Sequence, residues 1–222
     1  MKKIAIIIGA TGATGKIILK KLLKDKRYKK IKLFSRSSCG IQHVKIEEYL
    51  IDLLELEQHS KNFIANEVYC CIGTTKKLTP EPVIYKKIDF GIPLTAAELA
   101  KKNGIPTFLV VSSLGANANS STFYTKTKGE MENAINQLKI QKTFIFRPSL
   151  LLRATKESRI FETIAGKVMI ITSFLFVGSL KKYRAIKTEN LAKVMILLAN
   201  SKEKSKILES DKIQFISDHC EI

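Results

Sequence analysis

The sequence predicts an α/β protein built as one domain on a parallel, doubly wound sheet. Three observations predict it. A short β-branched run, Ile4-Ala5-Ile6-Ile7-Ile8, leads directly into the loop Gly9-Ala10-Thr11-Gly12-Ala13-Thr14-Gly15. Behind the loop, Lys16 to Arg27 carries Ile18, Leu19, Leu22 and Leu23 at helical spacing. Apolar strands and amphipathic helices then alternate as far as Pro148 at the spacing of βα units.

Strand, glycine loop and helix at the start of the chain form the opening of a dinucleotide-binding βαβ unit. Glycines let the backbone turn sharply and approach a pyrophosphate closely. The following helix then aims free N–H groups and its positive dipole end at that phosphate. The expected contacts are Gly9, Thr11, Gly12, Ala13, Thr14 and Gly15.

With 222 residues, 45% of them hydrophobic, the chain has enough material for one sizeable core and too little for two full domains. The net charge of +18 comes from lysines spread along the whole length, with few arginines. That distribution fits a solvated coat drawn to an anionic cofactor better than a nucleic-acid interface. Cys39, Cys70, Cys71 and Cys220 form no C-x-x-C pair, and His43, His59 and His219 lie far apart. Neither a metal site nor a disulfide framework is predicted, and a reducing cytoplasm is expected. Met1-Lys2-Lys3-Ile4 imitates a signal peptide, but its apolar core is too short. The run Val168 to Val177 is too short to span a bilayer, so no membrane association is expected.

The second strand is Ile31 to Phe34, ending in Ser35-Arg36-Ser37. An NAD site usually presents an acid here for the ribose 2′-hydroxyl; Arg36 instead suits the 2′-phosphate of NADP. Val44 to Ile46 is a candidate third strand. Asp52 follows, either beside the adenine or as N-cap of a helix running to about Asn62. Glu67 to Gly73 is the fourth strand and its exit, with Cys70 and Cys71 pointing to opposite faces. Strand ends in such sheets lie over the ligand, so Gly73 and Thr74 should floor the cofactor's ribose.

A long helix follows Pro80 and Pro82, with Ile84, Ile88, Ile92, Ala96 and Leu99 as its inward stripe, a kink at Pro93 and a stop at Asn103-Gly104. Thr107 to Val111 is the fifth strand, ending in Ser112-Ser113. A helix from about Ser121 to Leu138 comes next, and Thr143 to Phe146 is the sixth strand. From Ser149 the tail should fold over the cofactor's reactive end as a substrate-side extension. It is expected to hold a helix at Glu157–Ile164, another from Leu191 capped by Thr188-Glu189-Asn190, and a short strand within Ile207–Ile216.

Tyr124 and Lys128 stand four apart and share a helix face. A free tyrosine titrates near ~10, and a neighbouring ammonium favours its phenolate. Tyr124 can therefore exchange a proton with a carbonyl or alcohol oxygen, with a hydroxyl from the fifth strand's end holding that oxygen. The spacing alone is not selective, because Tyr28–Lys32 and Tyr183–Lys187 repeat it. Only Tyr124 opens a helix directly after a strand ending in paired serines.

Five segments together resemble the atypical short-chain dehydrogenase/reductases, and closely the Tat-interacting-protein oxidoreductase-like group. They are Gly9 to Gly15, Cys70 to Thr75, Val110 to Ala116, Tyr124 to Glu130, and Phe146 to Pro148. The resemblance implies a Rossmann fold binding NADP(H), with Arg36, Cys71, Ile72, Tyr124 and Lys128 around the cofactor. It further implies contacts at the nicotinamide end from Leu151 and Arg159, and Ser113 as the catalytic hydroxyl ahead of Ser112. The activity implied is NADPH-dependent reduction of a carbonyl or oxidation of an alcohol. The Asn-Asn-Ala-Gly that standard members carry after the fourth strand is replaced here by Cys71-Ile72-Gly73-Thr74. That departure keeps a second expectation open, a non-catalytic NADP(H)-bound sensor or scaffold.

Overall fold

Seven parallel strands form the main sheet of the computed structural model, which describes residues 2–152 and 178–220. They are β1 (Lys3–Ile8), β2 (Tyr28–Ser35), β3 (Ile46–Leu50), β4 (Glu67–Cys70), β5 (Thr107–Val111), β6 (Lys142–Arg147) and β9 (Lys206–Glu209). Their order is β3-β2-β1-β4-β5-β6-β9. The chain runs outward from β1 in one direction, then returns and runs outward in the other. This reversal between β1 and β4 is where a Rossmann sheet opens its ligand crevice.

Alternation along β1 shows how both faces are covered. Ala5 and Ile7 join one core with Ile18, Leu19 and Leu22 of α1 (Ala13–Lys24) and with Leu191, Val194 and Met195 of a late helix, Thr188–Ala199. Ile6 and Ile8 join the other core with Leu53 and Leu56 of a 3-10 segment (Leu53–Asn62), Ala96 of a helix at Ile92–Lys102, and Met131 and Ile135 of a helix at Phe123–Gln137. Strands buried on both faces need the near-continuous apolar runs seen in the sequence.

Several boundaries move from their expected places. α1 begins and ends earlier than Lys16–Arg27: Gly12 is its N-cap, and Asp25 is its C-cap, whose backbone N–H donates to Leu22 O at 3.2 Å. The third strand is Ile46–Leu50 and not Val44–Ile46; Val44 is 96% exposed. This edge strand carries Glu47, which pairs with Lys30, and Tyr49, whose ring stacks on Phe34 at 4.7 Å. Charge on an edge strand discourages pairing with other chains, and it also masks the strand in sequence.

The helix after β4 has three parts: α2 (Pro82–Lys86), a π turn (Lys87–Gly91) and α3 (Ile92–Lys102). Pro93 has no N–H to offer and crowds the turn before it. The turn widens, and Ile92 N–H donates to Lys87 O. The inward positions ahead of α3 are Tyr85 and Asp89, while Ile84 is 47% exposed. The expected isoleucine stripe therefore fails at Ile84, while Ile88 packs against the core as expected.

After β5 come α4 (Phe123–Gln137) and β6, then β7 (Leu151–Leu152), which pairs with β8 (Ile186–Lys187) in a small second sheet. The described tail builds part of the main fold. Its helix α5 (Thr188–Ala199) covers a face of the main sheet, and β9 adds the seventh strand. The expected strand within 207–216 ends at Glu209 and gives way to α6 (Ser210–His219), held to α5 by Asn190 Nδ2 donating to Gln214 Oε1 at 2.9 Å. The helix expected at Glu157–Ile164 lies outside the described residues.

Candidate active site

All the residues expected to hold a cofactor, where described, follow the carboxyl ends of strands or lie on the helices that those ends lead into. Gly9 turns at φ +85°. A Cβ on Gly15 would stand 2.2 Å from Gly9 O, so only glycine lets α1 start this close to the loop. Thr14 and Gly15 are buried at the start of α1, and Thr11 is exposed. Gly12 makes no side-chain capping hydrogen bond, and the first turn of α1 holds no acid. The N-terminal amides and the positive end of the dipole are thus left for an anion. This cradle fits the pyrophosphate of a dinucleotide.

Arg36 lies exposed just beyond β2, next in the sheet to the strand that delivers the glycine loop. Asp52 caps the 3-10 segment, its carboxylate accepting from Leu54 N–H at 2.9 Å. Cys71 and Ile72 are half-buried beside the loop, with Ile72 Cδ1 and Cys71 O each within 3.4 Å of where a Gly9 Cβ would be. Cys70 and Cys71 pack into opposite cores, as alternation requires. Burial pushes the Cys70 thiol up to about 11 and raises that of Cys71 too, so neither is a thiolate at neutral pH. Leu151 opens β7 and packs against the α1 and α5 core. Arg159 lies outside the described residues.

Lys128 projects from α4 into a buried ion pair that sequence reading did not foresee. Its Nζ stands 2.6 Å from Asp89 Oδ1, with the two side chains 4% and 0% exposed. The other carboxylate oxygen accepts from Thr74 N–H at 2.7 Å. A Cβ on Gly73 would lie 3.6 Å from Asp89 Oδ1 and 3.8 Å from Lys128 Nζ. The β4 exit, the π turn and α4 therefore meet at one point. The one available signal was an acid between Ile88 and Phe90 in an otherwise apolar helical run.

Tyr124 lies half-buried in the first turn of α4, its ring 5.4 Å from that of Tyr85. Burial first, then the Asp89 charge and Tyr124, raise the Tyr85 hydroxyl's pKa. Among the described residues the Tyr85 hydroxyl has no hydrogen-bond partner. The two serines after β5 are treated differently. Ser112 donates to the Glu132 carboxylate, which Arg147 also grips with Nε at 3.0 Å and Nη2 at 2.5 Å. That hydrogen bond to Glu132 raises Arg147's pKa. Ser113 Oγ is out of contact with solvent and has no partner among the described residues. Gly129 lets the loop behind these serines pack on α4: a Cβ there would stand 2.1 Å from Ala118 N.

Among the described residues no three His, Cys, Asp or Glu side chains gather as a metal site, and no helix is long and apolar enough to cross a membrane.

The family described as NAD(P)H-binding matches residues 9–202. The rat protein HTATIP2 is 33% identical over 169 residues, which are 74% of this chain and 69% of the relative. The Debaryomyces hansenii protein named "Protein FMP52, mitochondrial" is 32% identical over 205 residues, 88% of this chain and 87% of the relative. Among solved structures, the Bordetella bronchiseptica enzyme WbmH in complex with NAD+ superposes with a TM-score of 0.70 at 13% identity, over 98% of this chain and 80% of that one. A UDP-N-acetylglucosamine 4-epimerase from Methanobrevibacter ruminantium gives 0.70 at 17%, over 98% and 82%. At such identities these two show the fold alone. The expectation of a cytoplasmic location stands beside relatives whose names place them in mitochondria.

Proposed function

The chain belongs to the NAD(P)H-binding family, and from that premise we propose an NADPH-dependent oxidoreductase that reduces a carbonyl or oxidises an alcohol. The observation that carries the reading is the unpartnered, solvent-shielded Ser113 hydroxyl at the strand edge that leads to Tyr124 and Lys128. Buried polar groups are nearly always hydrogen-bonded, so an orphan at a strand's carboxyl end is one that a ligand completes.

NADPH would supply the hydride from its nicotinamide. The chain's own residues do the rest. The glycine loop and the α1 N-terminus hold the pyrophosphate, and Arg36 pairs with the 2′-phosphate. Lys128 donates to the ribose hydroxyls. Ser113 donates a hydrogen bond to the substrate oxygen, and Tyr124 gives that oxygen its proton in reduction or takes it in oxidation. Gly73 and Thr74 floor the ribose beside Cys71 and Ile72, Leu151 borders the nicotinamide end, and Asp52 lies toward the adenine.

Tyr124→Phe tests the chemistry, since it removes the proton donor and keeps the ring. NADPH affinity should hold while NADPH consumption against aldehydes, ketones and quinones falls roughly 100- to 10,000-fold. Activity that survives the change refutes the mechanism. Nicotinamide-fluorescence titrations test cofactor choice, helped by the absence of tryptophan. NADPH should bind more tightly than NADH, and Arg36→Ala should cost NADPH roughly ten- to a hundredfold while sparing NADH. Equal affinities in the wild type sink the NADP assignment.

A second reading, a cofactor-bound sensor without turnover, draws support from the Asp89–Lys128 pair, which occupies the ammonium that the first reading uses. Wild-type protein that binds NADPH and consumes none with any substrate of the panel favours it.

A further inference from the structure

We propose that Asp89 is a positioning residue that holds Lys128 and offsets its charge toward Tyr124, tempering the ammonium's pull toward the phenolate. The proposal rests on Tyr124 being the proton-transfer group.

The geometry is specific. A lone ammonium beside a phenol favours the phenolate. Lys128 is not alone: Asp89 Oδ1 is 2.6 Å from its Nζ, and both side chains are shut away from water. At Tyr124 the two opposite charges act as a short dipole, whose influence falls off faster than that of a single cation. Asp89 cannot swing away, because Thr74 N–H holds its second oxygen at 2.7 Å and the π turn fixes its backbone.

Among the described residues, the remaining groups around the pair do not restore a net positive charge. From α2 comes Tyr85, whose ring lies 5.4 Å from that of Tyr124 and whose pKa is raised, first by burial. From β4 comes Cys70, a buried thiol. The nearby Lys86–Glu130 pair, 2.8 Å apart on the outer sides of α2 and α4, is self-compensating. A phenol in this setting gives its proton to the substrate oxygen as hydride arrives, and recovers one from water.

The test is an ultraviolet titration of tyrosine ionisation on the protein without cofactor. The chain has six tyrosines and no tryptophan, so subtracting the Tyr124→Phe curve isolates Tyr124. Asp89→Asn keeps an oxygen for Thr74 N–H and unmasks Lys128. The Tyr124 midpoint should fall by about one pH unit or more relative to wild type. Lys128→Met unmasks Asp89 and should raise the midpoint. The double variant should return it toward wild type. A packing role for Asp89 would move none of these values. An Asp89→Asn midpoint that stays or rises overturns the proposal. Should that variant not fold, a Lys128→Met midpoint that stays or falls overturns it equally. These titrations need no substrate, so a chain that turns nothing over refutes the oxidoreductase reading and leaves the charge argument to stand or fall by itself. Where turnover is found, the alkaline limb of the reduction profile in Asp89→Asn should move to lower pH with the phenol.

Discussion

Two buried carboxylates sit at opposite ends of this sheet and keep different company. Glu67 is 1% exposed at the amino end of β4. One of its oxygens accepts from the hydroxyls of Tyr28 and Tyr69, and Lys3 Nζ stands 2.9 Å from the other. Lys3 reaches on to Asn200 Oδ1 at 2.8 Å, and Asn200 Nδ2 donates to the Tyr28 hydroxyl at 2.7 Å. Every member is satisfied, and β1, β2, β4 and the end of α5 are tied together. Asp89, at the carboxyl end, is gripped by Lys128 and Thr74, yet the hydroxyls of Tyr85 beside it and of Ser113 beyond β5 lack partners among the described residues. A closed network stabilises, whereas one with open valences is kept for something that arrives later. In a parallel sheet ligands gather at the carboxyl ends, so the asymmetry is the one expected when one end holds the fold and the other does the work.

The largest effect comes from breaking the closed end. Glu67→Leu keeps the volume but removes the acceptor for two buried phenols, at about 2–4 kcal/mol of stability. Lys3 is 31% exposed and turns to solvent, which limits the loss. The urea midpoint should fall accordingly, while the folded protein binds NADPH with wild-type affinity. Loss of NADPH binding at unchanged stability would reverse the assignment of the two ends.

The same asymmetry explains what was legible in the sequence. β1, β4, β5 and β6 stood out because strands covered on both faces need unbroken apolar runs, and the glycine loop stood out because its backbone geometry admits little else. The places of Arg36 and Ser113 beyond strands, and of Tyr124 and Lys128 on the helix after β5, were readable from the order of elements. What stayed hidden depends on tertiary partners. Glu47 and Tyr49 look like loop residues until Lys30 and Phe34 of β2 meet them. Ile213 and Ile216 look like strand until α5 receives them as the inner face of a helix. Asp89 and Lys128 lie on separate helices, and no local pattern announces that they touch. Ser112 and Ser113 look alike in sequence; Glu132, a helix away, is what separates them.

The smallest expected effect on stability sharpens the comparison most, and it lies at that serine pair. Ser113→Ala removes a hydroxyl that bonds to nothing among the described residues. No hydrogen bond is lost, and a buried unsatisfied group disappears, so stability should stay within about 1 kcal/mol of wild type. NADPH affinity should also hold. The rate should nevertheless drop roughly 10- to 1000-fold, because a donor aimed at the substrate oxygen acts when charge develops there. Ser112→Ala is the matched control one residue earlier. It cuts a hydrogen bond to the buried Glu132 carboxylate and should cost about 1.5–3 kcal/mol, with most of the rate retained by the folded protein. Urea melts and NADPH-consumption assays on the two variants separate the roles. If Ser113→Ala is the destabilised one and Ser112→Ala the inactive one, the hydroxyls have been assigned the wrong way round. If both lose stability and neither loses rate, the carboxyl end of β5 is scaffold, and the contrast with Glu67 disappears.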